Sequence, residues 1–230
     1  MNDMLESSLF FGSTLSIFTY LLGSRLKQRW NIPLFNPMLV AITLCILVLT
    51  VFHVDYETYY AGAKYISYLL TPATVCLAIP LYEKLSLLAE NWKAVLLGIL
   101  SGVLASGLVI FTLSLLFGLD HLTYVTLLPK SITTAIGMGV EEELGGSGTI
   151  CVAVIILTGL WGNMTAVGLC RLCRITHPIA KGIAIGTSSH AMGTAKAMEI
   201  GMVEGAMSSL SIAVAGILTV VAAPFFALLL

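Results

Sequence analysis

From Val95 to Phe117 the chain carries no charged residue, and other apolar stretches punctuate the rest of it. A helical run of about 20 apolar residues matches the 30 Å hydrocarbon core of a bilayer. Lipid offers no partners to backbone N–H and C=O groups, so only helices and closed barrels cross it. The runs read as spans near Ser8 to Leu22, Pro37 to Val54, Ala61 to Tyr82, Val95 to Phe117, Thr149 to Cys170 and Met207 to Leu230. Hydrophobic residues fill 58% of 230 positions and charged ones 10%, and the mean hydropathy is +0.99. That mixture leaves no room for a soluble domain between the runs. The expected fold is an all-α polytopic membrane protein with about six full spans, broken or re-entrant helical segments and an inverted repeat, making one transmembrane domain over residues 1–230.

The start of the chain bears Asp3 and Glu6 where a signal peptide would be basic, so it reads as a first span. Arg25, Lys27 and Arg29 follow the first run, Lys84 and Lys93 flank the third connection, and Arg171, Arg174 and Lys181 follow the fifth. The bias of Lys and Arg toward the cytoplasm places these clusters inside and the N-terminus outside. Asp120 to Gly148 must then begin and end outside, as a re-entrant loop or a pair of short half-helices. Laying Thr71-Pro72-Ala73-Thr74 over Thr187-Ser188-Ser189-His190 carries the second run onto the fifth and the fourth onto the last. Pseudo-repeat halves over 33–117 and 149–230, joined by 120–148 and oppositely oriented, are expected on that spacing. A net charge of -1 with no basic block excludes nucleic acid. Cys45, Cys76 and Cys151 lie in apolar runs, and Cys170 and Cys173 lack the second ligand pair of a zinc site. They read as packing residues, and neither metal nor cofactor is expected.

Lys181 to Glu199, K-G-I-A-I-G-T-S-S-H-A-M-G-T-A-K-A-M-E, places glycines, hydroxyls, an imidazole and a lysine among these apolar segments. Such groups are costly in hydrocarbon unless they line a cavity or a solute path. Pro72 and Pro80 each remove a backbone donor from the third run. In the matching segment Gly186 and Gly193 loosen the helix, while Thr187, Ser188 and Ser189 can replace its backbone bonds. A half-helix starting after such a break turns free N–H groups and its positive dipole end inward, which suits an anion. The candidate substrate-binding residues are Lys130, Ser131, Thr133 and Thr134 in the outer segment, Thr187, Ser188, Ser189, His190, Thr194 and Lys196 in the second break, and Thr71 and Thr74 in the first. His190 and Glu199 are candidates for proton coupling. Competing readings pair Lys196 with Glu199 three residues on, let Lys130 snorkel to the outer headgroups, and tie His190 to a freed carbonyl. The Glu141-Glu142-Glu143 run reads as a solvated outer face. A hydrolase built on Ser188 or Ser189 with His190 is set aside, because adjacent side chains point apart and no G-x-S-x-G elbow is present.

N-P-M-L-V-A-I from Asn36, T-P-A-T-V-C-L-A-I-P-L-Y from Thr71, P-K-S-I-T-T from Pro129 and G-T-S-S-H-A-M-G-T-A-K-A-M-E from Gly186 together resemble the LrgB/CidB family over nearly the whole chain. The resemblance implies a bacterial inner (plasma) membrane protein, antiholin-like, encoded beside a small LrgA/CidA-type membrane partner and linked to murein hydrolase release. A related plastid protein carries glycolate and glycerate, and bacterial relatives are linked to pyruvate movement, so the resemblance also implies small monocarboxylates. Lys196 stands where the family usually has arginine, and Ala135 where proline usually continues the P-K-S-x-T-T segment. A lysine offers a point charge where arginine offers a planar fork. The expected function is a transporter or facilitator of a small organic anion such as pyruvate, glycolate or lactate. The alternative is an antiholin-like regulatory subunit acting on a holin-like partner, with small residues as helix contacts. A homo-oligomer is a further expectation.

Overall fold

The structure, a computed structural model, describes residues 10–30, 35–76 and 78–230, and within its helices leaves out the side chains of 70, 71, 74, 78, 80 and 81. The expectations at Thr71, Thr74 and Pro80 concern side chains outside that description. All regular structure among the described residues is α-helical. The chain divides into two compact units, one ending at Cys76 and the other running to Leu230.

The first unit contains α1 (Phe11–Trp30), α2 (Pro37–Val51), α3 (Tyr56–Ser67) and α4 (Leu70–Cys76). Asn36 starts α2 by accepting from the amides of Met38 at 2.9 Å and Leu39 at 3.4 Å. Pro37 takes the first helical position, where a missing donor costs nothing. α1 lies against α3 at Gly12, where a methyl group would overlap the backbone of Tyr59 and Ala63. Ser16 Oγ and Tyr59 Oη, 2.8 Å apart, hold the same contact. α1 runs well past the expected end at Leu22, through Arg25, Lys27 and Arg29.

The third apolar run forms three short helices instead of one span. α3 stops at Ser67, Tyr68 and Leu69 form a turn, and α4 is followed by α5 (Ala78–Glu83). Pro72 accounts for the turn: it has no N–H for the carbonyl of Tyr68, four residues back, and its ring excludes that carbonyl from a helical path.

The second unit continues with α6 (Leu85–Phe117), α7 (His121–Leu127), α8 (Thr134–Leu144), α9 (Gly148–Leu172), α10 (Pro178–Ile200) and α11 (Met202–Ala227). Among the described residues α6, α9 and α11 are the three helices long and apolar enough to cross a membrane. Only 22% to 28% of their most apolar windows is buried, leaving Leu97, Leu116, Leu157, Trp161 and Phe225 exposed, as lipid-embedded helices require. α2 is apolar too, but its 15 residues reach only about 22 Å. Val95, Ile99 and Val103 of α6 pack with Ile179 and Ile183 of α10 and Met207 and Ala215 of α11, which makes α10 the inner helix of this unit.

Between α6 and α9 the segment 120–148 is a pair of short helices joined by a turn. Its ends are fixed locally: Gly118 and Gly145 take φ of 62° and 75°, and Asp120 accepts from the amide of Thr123 at 3.3 Å. Tyr124 is fully buried and donates to the carbonyl of Phe226 at 2.7 Å, tying α7 to the end of α11. Of the three glutamates expected on a solvated face, Glu142 and Glu143 are exposed but Glu141 is buried. Its carboxylate lies beside Gly146 and Gly148, at the start of α9, where the positive end of the helix dipole offsets the burial. Cys151 and Cys170 are buried as packing residues, whereas Cys76 and Cys173 are exposed.

Candidate functional site

α6 presents small residues every fourth position, Ala94, Gly98, Gly102 and Ser106, which fall on one helix face. That face lines a cleft of about 720 Å³ whose other walls are the turn at Lys130 and Ser131 and the first half of α10. A methyl group on Gly102 would crowd Thr187 Cγ2 at 2.7 Å, so α10 approaches α6 this closely only because the α6 face lacks side chains. Asn91 and His177 also line the cleft, and among the described residues no carboxylate does.

Four of the expected site residues therefore come together: Lys130, Ser131, Thr187 and Ser188. Lys130 Nζ donates to Ser131 Oγ at 3.2 Å, and Ser131 Oγ lies 3.3 Å from Ser106 Oγ. Thr187 is 6% exposed, and its hydroxyl has no hydrogen-bond partner among the described residues. Leaving a buried hydroxyl unsatisfied costs about 1–3 kcal/mol, so this atom is poised for a ligand or water. Ser188 Oγ donates back to the carbonyl of Ala184 at 2.7 Å and serves the helix first.

The remaining residues are placed elsewhere. α10 departs from helical geometry at Ser189 (φ -138°, ψ 16°) and His190 (φ 41°, ψ -139°), and the groups around this kink are turned toward α9 and α11. Ser189 sits over Gly162, and the His190 ring over Gly159, with Nε2 3.0 Å from the carbonyl oxygen of Ile155. Thr194 Oγ1 donates to the carbonyl of His190 at 3.0 Å and meets Ser208 Oγ of α11 at 2.7 Å. Asn163 Nδ2 of α9 donates to the carbonyl of Met192 at 2.7 Å. The side chains thus take up backbone groups that the kink disturbs. Gly186 is helical and packs against Ser208, and Gly193 lies one turn past the kink against Ser189 and Ile185. Lys196 Nζ pairs with Glu199 Oε2 at 2.6 Å, away from the cleft. Thr133 occupies the cap position of α8 and Thr134 its first turn; neither lines the cleft. The sequence reading missed Ser106, Asn163 and Ser208. The four-residue spacing of small residues on α6 was the signal for the first, while the other two are apparent only once the helices are packed.

The sequence model of the LrgB-like family matches residues 16–229. The chain belongs to the LrgB-like family. It is 38% identical over 229 residues to the holin-like protein CidB of Staphylococcus epidermidis, covering 100% of this chain and 99% of that one. The holin-like protein CidB of Staphylococcus aureus is 37% identical with the same coverage. The antiholin-like protein LrgB of Bacillus cereus is 37% identical over 218 residues, 94% of this chain and 95% of its own. No solved structure matches. The family assignment expected from four ordered motifs therefore stands, and the relatives come from bacteria.

Proposed function

We propose that this chain is a multi-pass membrane component of a bacterial holin/antiholin-type system, acting with a small LrgA/CidA-like membrane partner to modulate murein hydrolase export and autolysis. The observation that carries this reading is near-complete alignment with relatives named holin-like and antiholin-like. Small-residue faces such as Gly98 and Gly102 on α6 are the kind of surface that lets membrane helices approach. Deleting the gene should shift the timing of lysis, and the wild-type chain should restore it. Unchanged lysis in the deletion, with the partner intact, would refute the reading.

A second reading is favoured by the cleft itself. A lysine, five serine or threonine residues and, among the described residues, no carboxylate, arranged between a small-residue helix and a kinked one, suit the passage of a small monocarboxylate such as pyruvate, glycolate or lactate. No proton is routed through His190 or Glu199, since neither lines the cleft: His190 rests on the carbonyl of Ile155 and Glu199 on Lys196. Purified protein in liposomes should take up one of these labelled acids, and uptake should fall with Lys130→Ala. Substitutions that abolish uptake without moving lysis timing separate transport from regulation, whereas lysis phenotypes in the absence of flux leave regulation alone.

A further inference from the structure

Arg171 in the last turn of α9, Arg174 in the turn that follows and Lys181 near the start of α10 line one cavity of about 540 Å³, together with Val167, Cys170 and Ile200. This cavity is separate from the cleft. No carboxylate lines it, and none of the three cations forms an ion pair among the described residues. Nor does the end of α9 consume them as caps. The carbonyls of Leu169, Cys170 and Arg171 already accept from the amides of Cys173 (2.8 Å), Ile175 (2.8 Å) and Arg174 (3.1 Å).

The turn adds a second observation. Arg174 holds φ at 54°, the left-handed conformation that glycine adopts at helix ends with no steric cost. An arginine stands there at a backbone penalty, and its side chain lines the cavity. Like charges gathered around a cavity repel one another and favour a bound anion. α9 is apolar and long enough to span, so its basic end lies where hydrocarbon meets water. Basic pockets between helices at that level bind anionic headgroups, and guanidinium groups match phosphate oxygens in pairs. The apolar lining suits the glycerol and acyl stem below such a headgroup.

We propose that Arg171, Arg174 and Lys181 form a phosphate-binding site at headgroup level, with an anionic phospholipid as the occupant the membrane supplies. The test uses the full chain in mild detergent, with melting temperature and bound mass by native mass spectrometry as readouts. The probes are phosphatidylglycerol, phosphatidylcholine and inorganic phosphate. Phosphatidylglycerol should raise the melting temperature and phosphatidylcholine should not. Arg174→Gly suits the left-handed backbone and should stay folded, with phosphatidylglycerol bound about tenfold more weakly, as loss of a charge-assisted contact implies. Arg171→Gln should weaken it similarly. Displacement of the lipid by inorganic phosphate would support the site and make soluble phosphate a second source. Lipid binding that phosphate leaves untouched would support it with the lipid as sole occupant. Equal phosphatidylglycerol affinity in wild type and both variants, equal stabilisation by phosphatidylcholine, or no binding of phosphatidylglycerol or of inorganic phosphate would overturn it.

Discussion

His190 Nε2 lies 3.0 Å from the carbonyl oxygen of Ile155, in a slot that exists because Gly159, one turn further along α9, has no side chain. A methyl group on Gly159 would come within 2.6 Å of Nε2 and 2.9 Å of Met192 Sδ. Gly159→Ala should therefore push the imidazole off the carbonyl and destabilise the fold by about 1–3 kcal/mol, the usual range for overpacking. Thermal melts in detergent check this. Gly168, with open space around its α-carbon, is the control: Gly168→Ala should leave the melting temperature unchanged or raise it.

The kink itself makes a separate prediction. A φ of 41° with ψ of -139° at His190 lies where side chains with a β-carbon are strained, at about 1–3 kcal/mol. His190→Ala and His190→Gly both lose the imidazole, but only glycine accepts the backbone. The glycine variant should be the more stable of the two by about 1–2 kcal/mol. Equal stability, or a more stable alanine variant, would mean that α10 does not hold this conformation.

The sequence made the helical membrane class legible because apolar runs near 20 residues leave the backbone no other solution. It also marked the position of a turn through Pro72. Within the site it indicated Lys130, Ser131, Thr187 and Ser188, polar residues in an apolar setting. It was less informative about direction. Thr187 and Ser189 are two residues apart, yet one lines the cleft and the other faces Gly162 of α9, since positions two apart on a helix point to different sides. Lys196 looked like a ligand-binding cation, but Glu199 lies one turn away on the same face. Glu141 looked solvated with its neighbours because nothing in the chain announces that Gly146 and Gly148 fold back over it.

Acid should test the cap of α7. Hydrogen bonds from Thr123, side chain first and then backbone amide, hold the Asp120 carboxyl below its usual value of 3.8. A carboxyl lowered in the folded state contributes stability that is present above the unfolded value and lost as pH falls through the folded one. Asn keeps a side-chain cap at this position but carries no charge and does not titrate. The advantage of wild type over Asp120→Asn in melting temperature should hold at pH 6 and shrink steadily below about pH 4. A pH-independent difference would place the acid sensitivity of this end elsewhere.

Thr187 carries a prediction of opposite sign for stability and for binding. Its hydroxyl is buried without a partner among the described residues, so Thr187→Val removes an unsatisfied group of similar shape. Such a change is near neutral or stabilising, by up to about 1–2 kcal/mol, whereas a hydroxyl engaged within the fold would lose stability on replacement. If the hydroxyl serves a ligand in the cleft, the same variant should lose uptake of the labelled acid while melting higher. A variant that loses both stability and uptake would make Thr187 structural.

The two lysines should behave differently. Among the described residues Lys130 lines the cleft with only a serine hydroxyl as its side-chain partner, while Lys196 is bound to Glu199 at 2.6 Å on a partly exposed helix face. Exposed ion pairs contribute about 0–1 kcal/mol, so Lys196→Ala should change stability little, and since Lys196 does not line the cleft, uptake should be unchanged. Lys130→Ala removes the only lysine that lines the cleft among the described residues, and uptake of a monocarboxylate should fall at least about tenfold, the scale of losing one charge-assisted hydrogen bond. Lys130→Arg should keep much of it, since the charge remains. The reverse pattern, with Lys196 essential and Lys130 dispensable, would place the solute path along the far side of α10 and leave the cleft to a helix of a partner protein.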